Sequence, residues 1–185
     1  AELSSVVSAL LSPYGLLPAA LAAVLAGAAL GLINGLVIVR LRVLPFVTTL
    51  AMMLAARGAA LTIAQNQSVG VSYEGNFITL GQGNWLGFPI PAWIMFAAFI
   101  VGFVLLHLTS FGRHVLAVGG NEDASRLMGL PVGRVTLLVY VMSGFLAGLA
   151  GLILASQFGA GQPTEGLGWE LSAIASVVVG GTLLT

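Results

Sequence analysis

Four apolar runs, at about residues 16–39, 44–63, 92–108 and 135–155, are each long enough to cross a bilayer, and nothing else constrains the fold as strongly. Hydrocarbon offers no water to the backbone, so such runs fold as helices whose amides bond within the segment. A fifth run, at residues 171–184, falls short of the roughly 20 residues a spanning helix needs. Composition agrees: 58% of the 185 residues are hydrophobic and 6% are charged, where a soluble domain carries about 25% charged residues. The predicted fold class is all-α, a polytopic transmembrane helical bundle with four to five spans. Arg57-Gly58 interrupts the second run and predicts a break in that helix.

The connections between the runs alternate in charge. Arg40 and Arg42 lie in the first, Arg113, Arg126 and Arg134 in the third, and the second and fourth contain neither Lys nor Arg. By the positive-inside rule the arginine-bearing connections face the cytoplasm, and the spans then alternate without contradiction from an outer Ala1. The outer side carries Glu2, Glu74, Glu165 and Glu170, with Trp85, Trp93 and Trp169 near the interface, where Trp is an ordinary membrane anchor. The chain begins with Ala rather than Met and stops within an apolar run, so residues 1–185 read as part of one membrane domain truncated at both ends. Residues 1–13 lack the basic start of a signal peptide. Gly27, Gly31 and Gly35 share one face of the first span, and Gly144 and Gly148 one face of the fourth, a spacing that lets helix backbones approach closely.

The residues that most enzyme classes need are missing. There is no cysteine, which rules out disulfides and thiol chemistry. The basic residues are all arginine; a phosphate loop needs a lysine after its glycines, so Gly119-Gly120 is not a nucleotide site. His107 and His114 stand apart from any carboxylate pair at ligand spacing, which predicts no metal site, and no cofactor is expected. A formal net charge of zero provides no field for nucleic acid. One enzymatic alternative stays open on the residues alone. Ser143-Gly144 in one span and His107 in another are the parts of an intramembrane serine hydrolase, provided they lie within hydrogen-bond reach.

The polar interruption at residues 112–134 is locally the most informative. Asn121 can cap a helix beginning at Glu122, with Glu122 and Asp123 in the first turn, where the helix dipole favours anions. Gly129 offers the C-terminal cap and Pro131 prevents continuation, so a helix of about two turns is expected over residues 122–128. Ala124, Leu127 and Met128 share one small apolar face. That face either lies on the bilayer surface or the protein's own helix ends, or it inserts into a groove on a cytoplasmic partner.

The run Gly112-Arg113-His114-Val115-Leu116-Ala117-Val118-Gly119-Gly120-Asn121-Glu122-Asp123-Ala124-Ser125-Arg126-Leu127-Met128-Gly129-Leu130 closely resembles the cytoplasmic loop of bacterial ABC-importer permeases of the ribose, galactose, arabinose and xylose class. Asn34-Gly35, Leu44-Pro45-Phe46-Val47-Thr48-Thr49-Leu50, Arg57-Gly58, Tyr140, Ser143-Gly144, Ala150-Gly151, Gln162-Pro163 and the run from Gly168 to Thr182 extend the likeness over most of residues 34–182. The resemblance implies a multi-pass permease subunit of the bacterial inner (plasma) membrane that moves a monosaccharide by alternating access and has no ATPase site of its own. Its implied partners are a cytoplasmic ABC ATPase subunit, a second permease subunit, the same or similar, and a periplasmic sugar-binding protein. Residues 113–134 would then be a cytoplasmic coupling loop, with Gly119, Gly120, Asn121, Glu122, Asp123, Ala124, Ser125, Arg126, Leu127 and Met128 as the coupling element. A permease of the same superfamily for another solute, such as a branched-chain amino acid, a nucleoside or a signalling furanose, is the alternative within transport, and a purely structural scaffold the alternative outside it.

A sugar path calls for hydroxyl and amide groups, since neutral sugars are held by hydrogen bonds and aromatic stacking. Asn34, Thr48, Thr49, Gln65, Asn66 and Ser143 are available, although small polar residues in spans also join helices to each other. Arg57 is the sole basic residue within a span, where a charge costs about 2.5 to 3.5 kcal/mol on insertion scales unless paired or hydrated. It either snorkels outward, neutralises a helix break beside Gly58, or lines the path. In the connection after the second span, Glu74 and Trp85 are candidates for docking a binding protein.

Overall fold

A computed structural model describes residues 1–72, 77–85, 87–164, 166 and 168–180. Glu74, Glu165 and the last part of the fifth apolar run lie outside the described residues. In chain order, α1 (Glu2–Leu11) and a 3-10 turn (Ser12–Tyr14) lead into α2 (Leu16–Leu41) and α3 (Pro45–Ile63). The strand β1 (Val69–Gly70), α4 (Phe77–Gln82) and the hairpin strands β2 (Asn84–Trp85) and β3 (Phe88–Pro89) come next. Then follow α5 (Ile90–Leu108), α6 (Ser110–Gly120), α7 (Glu122–Leu127), α8 (Val132–Phe158), β4 (Ala160–Gly161) and α9 (Trp169–Val179). Among the described residues α2, α3, α5 and α8 are long and apolar enough to cross a membrane, and they coincide with the four predicted runs.

Local chemistry sets the ends of these helices. Pro45 opens α3 at a position where its missing amide is no loss. Arg42 closes α2 and Gly159 closes α8 in the left-handed conformation. The expected break at Arg57-Gly58 is not there, and α3 runs through it without interruption. A single glycine costs a helix about 1 kcal/mol, too little to break it, and the Arg57 charge is compensated by an ion pair with Glu2.

The frame of the protein is the antiparallel pair α2–α8. Ala23, Gly27, Gly31 and Gly35 are buried down one side of α2 or nearly so, and Gly144 and Gly148 meet them from α8. A Cβ at Gly27 would overlap the Gly144 carbonyl oxygen, one at Gly31 the Tyr140 carbonyl oxygen, and one at Gly148 would stand 2.7 Å from the Ala23 oxygen. The approach is backbone on backbone, so no side-chain rearrangement can relieve an added atom. Lipid tails are as apolar as leucine, so such van der Waals contact replaces the hydrophobic effect as the force between helices.

The segment before the first span is itself a helix, which sequence reading did not foresee. Ser4, Ser5, Ser8 and Ser12 are buried along α1, and three of their hydroxyls return to the backbone: Ser5 to the Glu2 oxygen at 2.8 Å, Ser8 to Ser5 at 2.8 Å and Ser12 to Ala9 at 2.7 Å. Self-satisfied hydroxyls act as small packing groups. Gly151 of α8 and Gly161 of β4 receive this face, Gly161 within 3 Å of Val6 for any added Cβ. The connection after α3 is structured too: β1 pairs antiparallel with β4, and Val71 and Phe77 join Ala9, Ala19, Ala23, Leu152 and Ala155 in the main apolar cluster. The core therefore sits at the arginine-free end of the spans. No residue of α5 is buried.

Gly144→Leu is expected to prevent the α2–α8 contact, with a loss of at least about 3 kcal/mol, the upper range for overpacking. Gly102→Ala, on an α5 face with nothing within 4 Å of the added atom, should leave thermal unfolding in detergent unchanged. Equal unfolding temperatures for the two variants would contradict this account.

Candidate functional site

A cavity of about 710 Å³ opens between α1, α2, α3, α5, α8 and α9. That volume falls in the range that holds small organic ligands. Most of its wall is apolar, with Met52, Met53 and Met95 supplying three flexible side chains. Its polar groups include Asn34 from α2, Thr49 and Arg57 from α3, Tyr140 and Ser143 from α8, Glu2 from α1 and Glu170 from α9. Trp169 adds an aromatic face. The glycine faces of α2 and α8 bring Asn34, Tyr140 and Ser143 together, because Gly31 and Gly144 at the helix crossing line the same cavity.

Arg57 and Glu2 form a two-oxygen ion pair across this wall. Arg57 Nε donates to Oε2 at 3.0 Å and Oε1 at 3.2 Å, and Nη2 donates to Oε1 at 2.8 Å. Both side chains are part-buried, at 18% and 15% exposure. Arg57 lies six residues from the end of α3, roughly 9 Å along the axis at 1.5 Å per residue, so the pair sits below the end of the span. Paired with Glu2, Arg57 neither snorkels free nor marks a helix break, and its side chain is part of the cavity wall.

Asn34 is the unusual member. Its Oδ1 is buried with no hydrogen-bond partner among the described residues, a condition that costs about 1–3 kcal/mol in a folded protein. Thr49 donates its hydroxyl to the Pro45 and Phe46 carbonyls at 3.0 and 3.1 Å. Its oxygen lone pairs remain for a ligand. Thr48 is different: it is buried, bonds the Leu44 carbonyl at 3.2 Å, and does not line the cavity. Gln65 and Asn66 lie beyond the end of α3 at positive φ and are likewise off the cavity.

Four of the predicted path residues, Asn34, Thr49, Arg57 and Ser143, thus converge. Glu2, Tyr140, Trp169 and Glu170 were not predicted for that wall, and only the third dimension brings them there. The hydrolase alternative fails on geometry. His107 stacks on Phe103 with ring centroids 4.5 Å apart, its Nδ1 is 3.3 Å from the Phe103 carbonyl, and it is not on the cavity wall with Ser143. No hydrogen bond joins the two among the described residues.

At the arginine-bearing end, α5 turns sharply into α6. Thr109 caps α6 by accepting from Gly112 N at 3.2 Å, and Gly112 packs where any Cβ would meet the Leu106 carbonyl. Gly119-Gly120 forms the last turn of α6. The capped helix stands as predicted to within a residue: Asn121 Oδ1 accepts from Ala124 N at 2.9 Å, and α7 closes with Met128 as its cap. Gly129 has φ +78° and its amide bonds the Arg126 oxygen at 3.0 Å. Arg126 reaches Glu122 at 2.7 Å, an exposed pair worth about 0.3–0.5 kcal/mol. Ser125 points inward at 1% exposure, while Leu127 and Met128 stand out at 90% and 69%. The apolar tip does not lie on the protein's own helix ends. On the opposite side Trp85 is exposed, and its carbonyl accepts from Trp93 Nε1 at 3.2 Å.

The family described as branched-chain amino acid transport system / permease component matches residues 1–184. The L-arabinose transport system permease protein AraH of Escherichia coli (strain K12) is 44% identical over 152 residues, covering 82% of this chain and 46% of that protein. The ribose import permease protein RbsC of the same strain is 42% identical over 171 residues, 91% of this chain and 53% of its own. RbsC of Bacillus subtilis (strain 168) is 44% identical over 153 residues, 82% and 48% respectively. The chain spans about half the length of these curated relatives. No solved structure matches it.

Asn34→Leu removes an unpaired buried carbonyl and keeps the volume, so thermal stability should hold or rise by about 1 kcal/mol. A fall of that size in calorimetry would mean the carbonyl has a partner.

Proposed function

Because the chain belongs to the branched-chain amino acid transport system / permease component family, we propose that it forms part of the transmembrane permease of an ATP-driven importer, with a monosaccharide as its solute. The relatives named for L-arabinose and ribose, 42–44% identical over more than four fifths of this chain, carry the sugar reading. The family description itself names branched-chain amino acids, which keeps another solute as the second reading.

In this account the bundle lies in the bacterial inner membrane with its arginines in the cytoplasm. The α2–α8 pair acts as a rigid post, while α3 and α5, which bury few residues or none, change the access of the cavity from one side to the other. Asn34, Thr49 and Ser143 supply acceptors and donors to sugar hydroxyls, Trp169 a stacking face, and Arg57 a donor held by Glu2. No bond of the solute is made or broken, and ATP is hydrolysed by a cytoplasmic partner. Residues 113–134 couple the two: α7 presents Leu127 and Met128 to a groove of the ATPase subunit, and the Asn121 cap and the Glu122–Arg126 pair hold its angle. A second permease subunit completes the pathway, and a periplasmic binding protein delivers sugar at the arginine-free side.

Glu122→Lys and Gly120→Pro should abolish ATP-driven uptake by the full-length importer in proteoliposomes while leaving membrane insertion intact. Pro at 120 breaks the last turn of α6, and Lys at 122 places a cation at the α7 N-terminus against the dipole. ATPase subunit retained on the purified permease should fall in parallel, by roughly tenfold or more. Normal assembly and uptake in both variants would sink the coupling assignment.

A further inference from the structure

Every charged side chain on the cavity wall has to be accounted for before the solute's own charge can be considered. Among the described residues these are Glu2, Arg57 and Glu170, one negative charge in sum. Arg57 is the sole cationic side chain among them, and its charge is already occupied. Glu2 grips Nε and Nη2 with both carboxylate oxygens, and both side chains are part-buried beside an apolar wall, where water screens such a pair less than it does on an open surface. The Nη1 group has no partner among the described residues, so the guanidinium still offers N–H donors to a hydroxyl. A carboxylate entering the cavity faces a different situation. It must share Arg57 with Glu2 while lying near Glu170, and like charges at a part-buried site repel more than they do in bulk water.

We propose that Glu2 is the charge-selectivity residue of this cavity: its two-oxygen grip on Arg57 withholds the one cationic side chain on the wall, so uncharged polyols enter and sugar acids are excluded. The proposal rests on the reading of the chain as a solute permease. Glu2 acts through Arg57, as a positioning residue, and no motif marks it, since 55 positions separate it from its partner. The Glu2→Gln side chain keeps the length and an acceptor oxygen for the Arg57 N–H groups and removes only the charge.

The test titrates galactose and galacturonate, radiolabelled, against the full-length permease assembled with its ATPase in nanodiscs, with no binding protein present. In the natural protein galacturonate should associate roughly tenfold or more weakly than galactose. Glu2→Gln should raise the ratio of galacturonate to galactose association by roughly tenfold, and adding Arg57→Gln to that variant should abolish the rise. A purely structural ion pair would move both solutes together. Two results overturn the proposal: equal affinity of the natural protein for the two solutes, which needs no variant to fold, or no rise in that ratio in well-folded Glu2→Gln. Failure of the intact importer to take up any sugar on ATP addition would instead count against the transport reading, because the ratio is read by association and requires no turnover.

Discussion

The contact on which the rest depends is the backbone-to-backbone crossing of α2 and α8. Gly27, Gly31, Gly144 and Gly148 leave no room for a single extra carbon, and in a bilayer this kind of fit, with no water to expel, holds helices together. The crossing also sets where function can lie. Asn34 and Ser143 sit three positions along from Gly31 and one before Gly144, so drawing the helices together places their polar groups on one cavity wall. The buried serines of α1 dock against the same pair at Gly151 and extend the frame to the arginine-free end.

A second constraint is charge within an apolar bundle. One arginine in a span is costly alone, and Glu2 from α1 meets it with both oxygens. The pair ties α3 to α1 close to the apolar contact of Val6 with Ala60 and Ala64. By contrast α5 buries nothing.

What the sequence disclosed follows from the range of each interaction. The four spans were legible because length and hydropathy are local and the bilayer fixes the length required. The cap at Asn121 was legible for the same reason, since Asn, two acidic residues, Gly and Pro fall within eleven positions. Residues 110–120 gave no helical signal of their own, yet Gly119-Gly120 finish α6. Arg57-Gly58 misled because a charge and a glycine look like a break when the compensating carboxylate lies 55 residues away. α1 is short and serine-rich, and the hydroxyls of Ser5, Ser8 and Ser12 become packing groups only once they have bonded their own backbone. The hydrolase pairing of Ser143 with His107 was equally long-range, and His107 turns out to lean on Phe103.

The orientation of α7 is the most direct point of test for transport driven from outside the chain. Residues 1–185 contain no cysteine, so Leu127→Cys, in a full-length background with any cysteine elsewhere replaced, places one reporter at an exposed position. In the assembled full-length importer, a thiol crosslinker at that position should capture the ATPase subunit, with a yield that changes when ATP is bound. A cysteine that reacts only with lipid-soluble reagents, and never with the ATPase at any nucleotide state, would contradict the account.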